Sequence, residues 1–161
     1  EGKIVNLRVD TVELNNQKYA KREIVEHKSA ACVLAVNNDF KILLVRQYRK
    51  AIEEFIYELP AGILNIAEEP QEAALRELEE ETGYTAGKIK LIYEFYTSPG
   101  FSNEKVYLFE ASDLVYKAVN FDEDECIETI EVTKDEAKKM IDTGRITDSK
   151  TLIGLLHWLY S

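Results

Sequence analysis

Side chains that bind soft metals or run redox chemistry are scarce in this chain, which has 2 histidines and 2 cysteines among 161 residues. Cys32 and Cys126 lie far apart and neither sits in a C-x-x-C pair, which argues against a zinc knot or a dithiol centre. Cys32, inside "AACVLAV", reads as a buried core thiol. No G-x-S-x-G segment is present, and His157 in "LLHWLY" reads as a helix-packing residue, so a serine or cysteine hydrolase is disfavoured. Glycine and proline are sparse at 7 and 3, with no repeat and no low-complexity tract. No apolar run approaches the roughly 20 residues that span a bilayer, so no membrane partner is expected. Basic residues are outnumbered 20 to 30, for a net charge of −10 and a pI near 4.8. That excludes a broad nucleic-acid surface, which needs a basic face. No signal peptide is visible, and with unpaired cysteines this leads us to expect a cytoplasmic protein.

The chain is long enough to bury one good core, so one main domain is expected. "KIVNLRVDTVELN" and "QKYAKREIVEH" alternate polar and apolar residues, as a hairpin turning at "NNQ" would. "SAACVLAV", "KILLVRQYR" and "FIYELPAGI" read as strands, the last ending at Pro60. "KIKLIYEFYTS" and "KVYLFEASDL" read as strands flanking "PGFSNE", and "CIETIEV" as another. Helices are predicted from Pro70 to a stop at Gly83, from a Thr133 cap with Glu136 to Gly144, and from Asp148 or Ser149 onward. Strands mixed with helices at the middle and the end indicate an α/β sandwich, a mixed sheet between helical layers. Residues 1–28 read as a β extension to a main domain over 29–161.

The stretch "GILNIAEEPQEAALRELEEETGY" carries seven carboxylates and one base, Arg76. On a helix, Glu77, Glu80 and Glu81 fall within a sector of about 100°, with Leu75, Leu78 and Ala74 on the apolar side. A solvated acidic face is the ordinary reading of a charge run. These acids, however, continue into the half of the helix whose dipole disfavours them. Converging carboxylates without histidine or cysteine suit a hard cation, Mg2+ or Mn2+, rather than zinc. Glu68, just before the helix, is placed to reach the same ion, and Arg76 to clamp and orient one of the glutamates.

Gly62, Glu68 six residues on, and "RELEEETGY" together spell G-x5-E-x7-R-E-L-x-E-E-x-G-Y. This resembles the Nudix box with every fixed position filled: Gly62, Glu68, Arg76, Glu77, Glu80, Glu81 and Gly83. The resemblance implies the Nudix fold over about residues 29–161 and metal-dependent hydrolysis of a nucleoside diphosphate linked to another group. By family analogy Glu77 and Glu81 are the main side-chain metal ligands, helped by Glu80 and the Ala61 carbonyl, with Glu68 either a further ligand or a structural partner of Arg76. Pro99, sixteen residues after Gly83, resembles the mark of the ADP-ribose pyrophosphatase branch. In that branch an acidic loop supplies the general base, which points to Glu123 or Glu125 in "DEDE". Arg22 and Arg49, with Arg46 as a close alternative, match its substrate-binding arginines, and Glu104 is placed to line the site. The branch pairs its N-terminal strands across a two-fold axis, which implies a homodimer. The same strands folding back on one subunit are the alternative. The box loop "NIAEE" departs from the usual glycine-containing turn at Ile66 and Ala67, which leaves its conformation open.

The reading is therefore hydrolysis of ADP-ribose to AMP and ribose 5-phosphate. Its rivals are a Nudix enzyme for another nucleoside diphosphate sugar and, from a different class, a binding module that only holds a cation or senses a ligand.

Overall fold

The computed structural model describes residue 2 and residues 4–117 and 127–161. Its elements are β1 (Val5–Glu13), β2 (Tyr19–His27), β3 (Ala30–Ala35), β4 (Ile42–Arg49), β5 (Glu54–Glu58), β6 (Ala61–Ile63), α1 (Pro70–Thr82), β7 (Tyr84–Tyr96), β8 (Lys105–Tyr116), β9 (Glu128–Val132), α2 (Lys134–Asp142) and α3 (Ser149–Tyr160).

All six residues of β3 are buried, so both faces of this strand are covered. Successive side chains of a strand point to opposite faces, and β3 feeds two cores accordingly. Ala30, Cys32 and Leu34 join Ile42, Leu44, Leu59, Leu108, Leu155 and Trp158, beneath α3. Ala31, Val33 and Ala35 join Leu43, Ala73, Ala74, Leu78 and Phe109, beneath α1. Each fully buried leucine here contributes about 1.5–3 kcal/mol by leaving water. Helices thus cover both sides of the strands, giving the expected α/β/α sandwich.

The strands divide into more sheets than expected. A four-stranded sheet runs β6-β3-β8-β7 and a three-stranded one β5-β4-β9. Only β3 and β8 pair in parallel, with Ala30 opposite Val106 and Ala35 opposite Ala111; the other pairings among the described strands are antiparallel. The strand expected to end at Pro60 stops at Glu58 as β5, and after Leu59 and Pro60 the residues "AGI" form a separate short strand, β6. Proline has no N–H for a ladder, and this break carries the chain out of one sheet and into the other. The Pro60 carbonyl still accepts from Val33 N at 2.9 Å, so the crossing segment is held. It delivers Ala61 and Gly62 to the side of α1.

β1 and β2 form a two-stranded sheet of their own, in register from Val5 opposite His27 to Glu13 opposite Tyr19. It joins the rest of the molecule through Val25, whose N–H donates to Phe101 O at 2.7 Å and whose carbonyl accepts from Asn103 N at 3.3 Å. At the other end of the chain, the Asp148 carboxylate caps α3 by accepting from Thr151 N at 2.9 Å. Gly154 of α3 lies so near the β5–β6 crossing that a Cβ there would stand 2.6 Å from Leu59 Cδ1.

Candidate active site

Local sequence fixes α1 at both ends. Pro70 opens it, where a missing N–H costs nothing, and Glu72 Oε2 accepts from Glu69 N at 3.3 Å. Gly83 ends it at φ +75°, a left-handed conformation that glycine adopts without a side-chain clash. Ala73, Ala74 and Leu78 are buried, whereas Leu75, expected beside them, is only half-buried. The apolar stripe is therefore rotated slightly, and it brings Glu81 inward with it.

Arg76 organises the neighbouring acids. Its Nε and Nη2 donate to the two oxygens of Glu68 at 2.8 and 3.0 Å. Nη1 donates to Glu77 Oε1 at 2.7 Å and to Glu80 Oε2 at 2.9 Å. Nη2 also reaches Ile63 O at 3.2 Å. One guanidinium thus bridges three carboxylates and a carbonyl. The Arg76 hydrogen bond, seconded by the Asn65 N–H, holds Glu68 down to about 2. Burial moves Glu77 the other way, upward, against the pull of Arg76. The loop carrying Glu68 turns through Ala67 at φ +60°, with Ile66 exposed. This alanine takes a left-handed turn, a conformation that glycine adopts more readily.

Gly62 lies under the Glu77 carboxylate. A Cβ at position 62 would overlap Oε1, Cδ and Oε2 of Glu77, so only glycine leaves that carboxylate its place. Ala61 meets the cluster through its N–H, which donates to Glu81 Oε2 at 3.0 Å. Glu81 is only 8% exposed, and among the described residues no cation pairs with it. Burial pushes its carboxyl up to about 8, with the Glu77 charge adding to the effect and the Ala61 N–H opposing it. Among the described residues no three acids or histidines already stand as a cage for an ion, because Arg76 occupies the space between Glu68, Glu77 and Glu80. The donor set still fits a divalent cation. It is all oxygen, and its most buried carboxylate lacks a positive partner.

The remaining expected residues lie at several distances from this centre. Arg49 grips Glu58 with both forks, Nε to Oε1 at 2.6 Å and Nη2 to Oε2 at 2.8 Å. Arg46 stacks on the Phe55 ring at 4.3 Å from its centroid and pairs with Glu128 at 3.5 Å. Arg22 is exposed on β2 and donates to Lys21 O at 3.0 Å. Pro99 is exposed in the β7–β8 loop. Glu104, at the base of that loop, accepts from Thr97 Oγ1 at 2.6 Å and faces His27 Nδ1 at 3.3 Å. Glu123 and Glu125 lie outside the described residues. The structure therefore gathers Ala61, Gly62, Glu68, Arg76, Glu77, Glu80 and Glu81 at one centre, and the helix that carries them ends at Gly83.

Sequence reasoning missed Glu58, which is 1% exposed at the end of β5. It accepts from Arg49 and also from Lys150 Nζ at 2.9 Å. The available signal was an acid between apolar residues in "FIYELPAGI", since a fully buried carboxylate needs partners.

A family model described as NUDIX domain matches residues 26–152. The chain is similar to an ADP-ribose pyrophosphatase of Bacillus subtilis (strain 168), 50% identical over 158 residues that cover 97% of this chain and 85% of that one. It is also similar to a methanol dehydrogenase activator of Bacillus methanolicus, 49% identical with the same coverage of both chains. A crystal structure of an ADP compounds hydrolase shares its fold with a TM-score of 0.88, at 19% identity over 99% of this chain and 89% of that one.

Proposed function

Because the chain belongs to the NUDIX family of hydrolases, we propose that it hydrolyses the diphosphate bond of ADP-ribose to AMP and ribose 5-phosphate. The observation that carries this reading is the box itself. Gly62 makes room for Glu77, Arg76 arrays Glu68, Glu77 and Glu80, and Glu81 is buried beside Ala61 without a positive partner among the described residues. The similarity to an ADP-ribose pyrophosphatase at 50% identity supports the choice of substrate.

Nudix hydrolases generally need a divalent metal, and here the ion is Mg2+ or Mn2+, held by Glu77, Glu80 and Glu81 with the Ala61 carbonyl. Once bound it polarises the phosphoryl oxygens and offsets charge on the leaving phosphate. The chain's own residues do the rest. Arg76 fixes the direction of the carboxylates. Arg49, Arg46 and Arg22 supply guanidiniums for phosphate and ribose oxygens. Pro99 and Glu104 line the substrate's path, and Glu123 or Glu125 takes the proton of the attacking water. Residues 1–28 serve as a dimerisation extension to a hydrolase domain at 29–161. Supporting a homodimer, Val5, Leu7 and Val9 expose side chains from alternate positions of β1. No helix among the described residues is long and apolar enough to cross a membrane, and we place the enzyme in the cytoplasm.

The test is a panel of ADP-ribose and other nucleoside diphosphate sugars incubated with Mg2+, read by product chromatography. AMP and ribose 5-phosphate from ADP-ribose are expected. Brisk hydrolysis of another diphosphate with no ADP-ribose turnover would replace this substrate. Failure to turn over any of them would favour a binding module.

A further inference from the structure

Behind the carboxylate cluster lies a second charged network that none of the box positions explains. It begins at Arg49, which holds both oxygens of buried Glu58. Glu58 Oε2 also accepts from Lys150 Nζ, and Lys150 donates in turn to Asp148 Oδ1 at 2.7 Å. Asp148 Oδ2 accepts from Thr151 N at 2.9 Å and from Thr151 Oγ1 at 2.6 Å. The Thr151 hydroxyl oxygen in its turn accepts from Leu59 N at 2.8 Å. The first turn of α3 is thereby tied to the β5–β6 crossing, two residues before the Ala61 N–H that grips Glu81.

The charges of this network cancel: Arg49 and Lys150 against Glu58 and Asp148. Burial works against the charge on Glu58, yet its bonds from Arg49 and Lys150 leave its carboxyl below the ordinary range. Lys150 stays charged for the matching reason, as Asp148 and Glu58 outweigh its burial. The network borders the carboxylate cluster through the β5–β6 crossing, where Leu59 N donates to Thr151 Oγ1 and, two residues on, Ala61 N donates to Glu81 Oε2. Arg49 spends Nε and Nη2 on Glu58, and within the described residues its Nη1 donates to nothing. Its side chain is 41% exposed.

We propose that Lys150 is a positioning residue for the reaction: by sharing Glu58 with Arg49, it keeps the Arg49 guanidinium at the edge of the carboxylate cluster with Nη1 free for a substrate phosphate oxygen. Without Lys150, Glu58 loses the contact that fixes its Oε2, and the carboxylate turns and carries the paired Arg49 guanidinium with it, which moves Nη1 away from the cluster. The network then carries one net negative charge next to Glu81, facing an anionic substrate. Both consequences weaken substrate binding. This inference rests on the phosphate-binding role given to Arg49 above.

The test measures KM and kcat of the full chain for ADP-ribose with Mg2+ in wild type, Lys150→Met, Lys150→Arg, Asp148→Asn, Arg49→Ala and the Arg49→Ala/Lys150→Met double variant. Lys150→Met should raise KM about tenfold, as for one lost partner of a buried charge pair, with kcat within about twofold. Lys150→Arg should restore most of it. Asp148→Asn keeps a good helix cap and removes the opposite charge, so its KM should stay level or fall. In the Arg49→Ala background, adding Lys150→Met should change KM clearly less than it does in wild type, because the positional part of its effect acts through Arg49. An unchanged KM in Lys150→Met, a raised KM in Asp148→Asn, or multiplying effects in the double variant would each overturn the proposal. Should Lys150→Met fail to fold, the opposite sign required of Asp148→Asn still decides it. The substrate reading fails separately, when wild type itself does not turn over ADP-ribose.

Discussion

Replacing Glu81 by glutamine should make the metal-free protein more stable while removing its activity. The Glu81 carboxyl is displaced from an ordinary value of 4.5 to about 8, chiefly by burial. A carboxyl whose value is raised in the folded state lowers stability once the same group ionises in the unfolded chain. The cost is absent below the unfolded value of 4.5 and grows as pH rises toward 8. At about 1.4 kcal/mol per pH unit, the penalty near pH 7 is on the order of 3 kcal/mol. Glutamine keeps an oxygen for the Ala61 N–H but brings an NH2 that costs about 1 kcal/mol if it stays unpaired. The net gain is then about 2 kcal/mol, or roughly 4–8 °C in melting temperature for a chain of this size.

The assay is thermal unfolding at pH 7 in chelator and then with excess Mg2+, beside steady-state kinetics. In chelator, Glu81→Gln should melt above wild type. Added Mg2+ should raise wild type, since a ligand of the folded state stabilises it, and should barely move the variant. Turnover should fall at least about 100-fold, because the ion's several kcal/mol of charge stabilisation is lost. A variant that melts several degrees below wild type in chelator would refute the reasoning. So would an equal Mg2+ shift in both proteins, which would place the ion elsewhere.

Gly62→Ala should fold and yet lose most activity, because its methyl group displaces the Glu77 carboxylate. Circular dichroism beside kinetics checks it. Arg76→Ala, which strips the shared cation from Glu68, Glu77 and Glu80, should destabilise by about 2–3 kcal/mol in urea unfolding. That is less than a fully buried pair, since the guanidinium is partly exposed. Gly154→Ala should cost about 1–3 kcal/mol by overpacking against Leu59, read as a lower urea midpoint with unchanged KM. Glu58 is held below its ordinary 4.5, so its stabilisation is complete above that pH and disappears as pH falls through its folded value. The melting-temperature gap between wild type and Glu58→Gln should therefore be full at pH 7 and close in acid.

Much of this architecture was legible because its signals are local. Pro70 and Gly83 bracket α1, Thr133 with Glu136 starts α2, and Asp148 starts α3, all by capping chemistry confined to a few residues. The box residues were legible for a different reason: a long gapped pattern fixes helix phase, and phase decides which carboxylates converge. Non-local features did not show. Pro60 marked the end of β5, but nothing in "ELPAG" states that the next residues form a strand in the other sheet. The pairing of Glu58 with Lys150 joins residues 92 positions apart, a contact no periodicity encodes. Ala67 marks an intermediate case. Its departure from glycine was visible, and the structure supplies the consequence, a left-handed turn that alanine adopts at a cost of roughly 1 kcal/mol.

The crowding of acids in "RELEEETGY" follows from how the surrounding charges are spent. Arg76 is divided among Glu68, Glu77 and Glu80, so one cation serves three carboxylates. Lys150, and the Nε and Nη2 of Arg49, are engaged by Glu58 and Asp148. Among the described residues, Glu81 is left with a single backbone N–H in a buried position. A surface cluster would shed this repulsion into water, where each exposed pair is worth less than about 1 kcal/mol. Here Gly62, Ala61 and the β5–β6 crossing hold the acids in place against it. The rigid parts that resist repulsion are the same parts that keep oxygen donors fixed for an incoming cation, which explains why the negative excess sits on α1 and not on a loop free to relax.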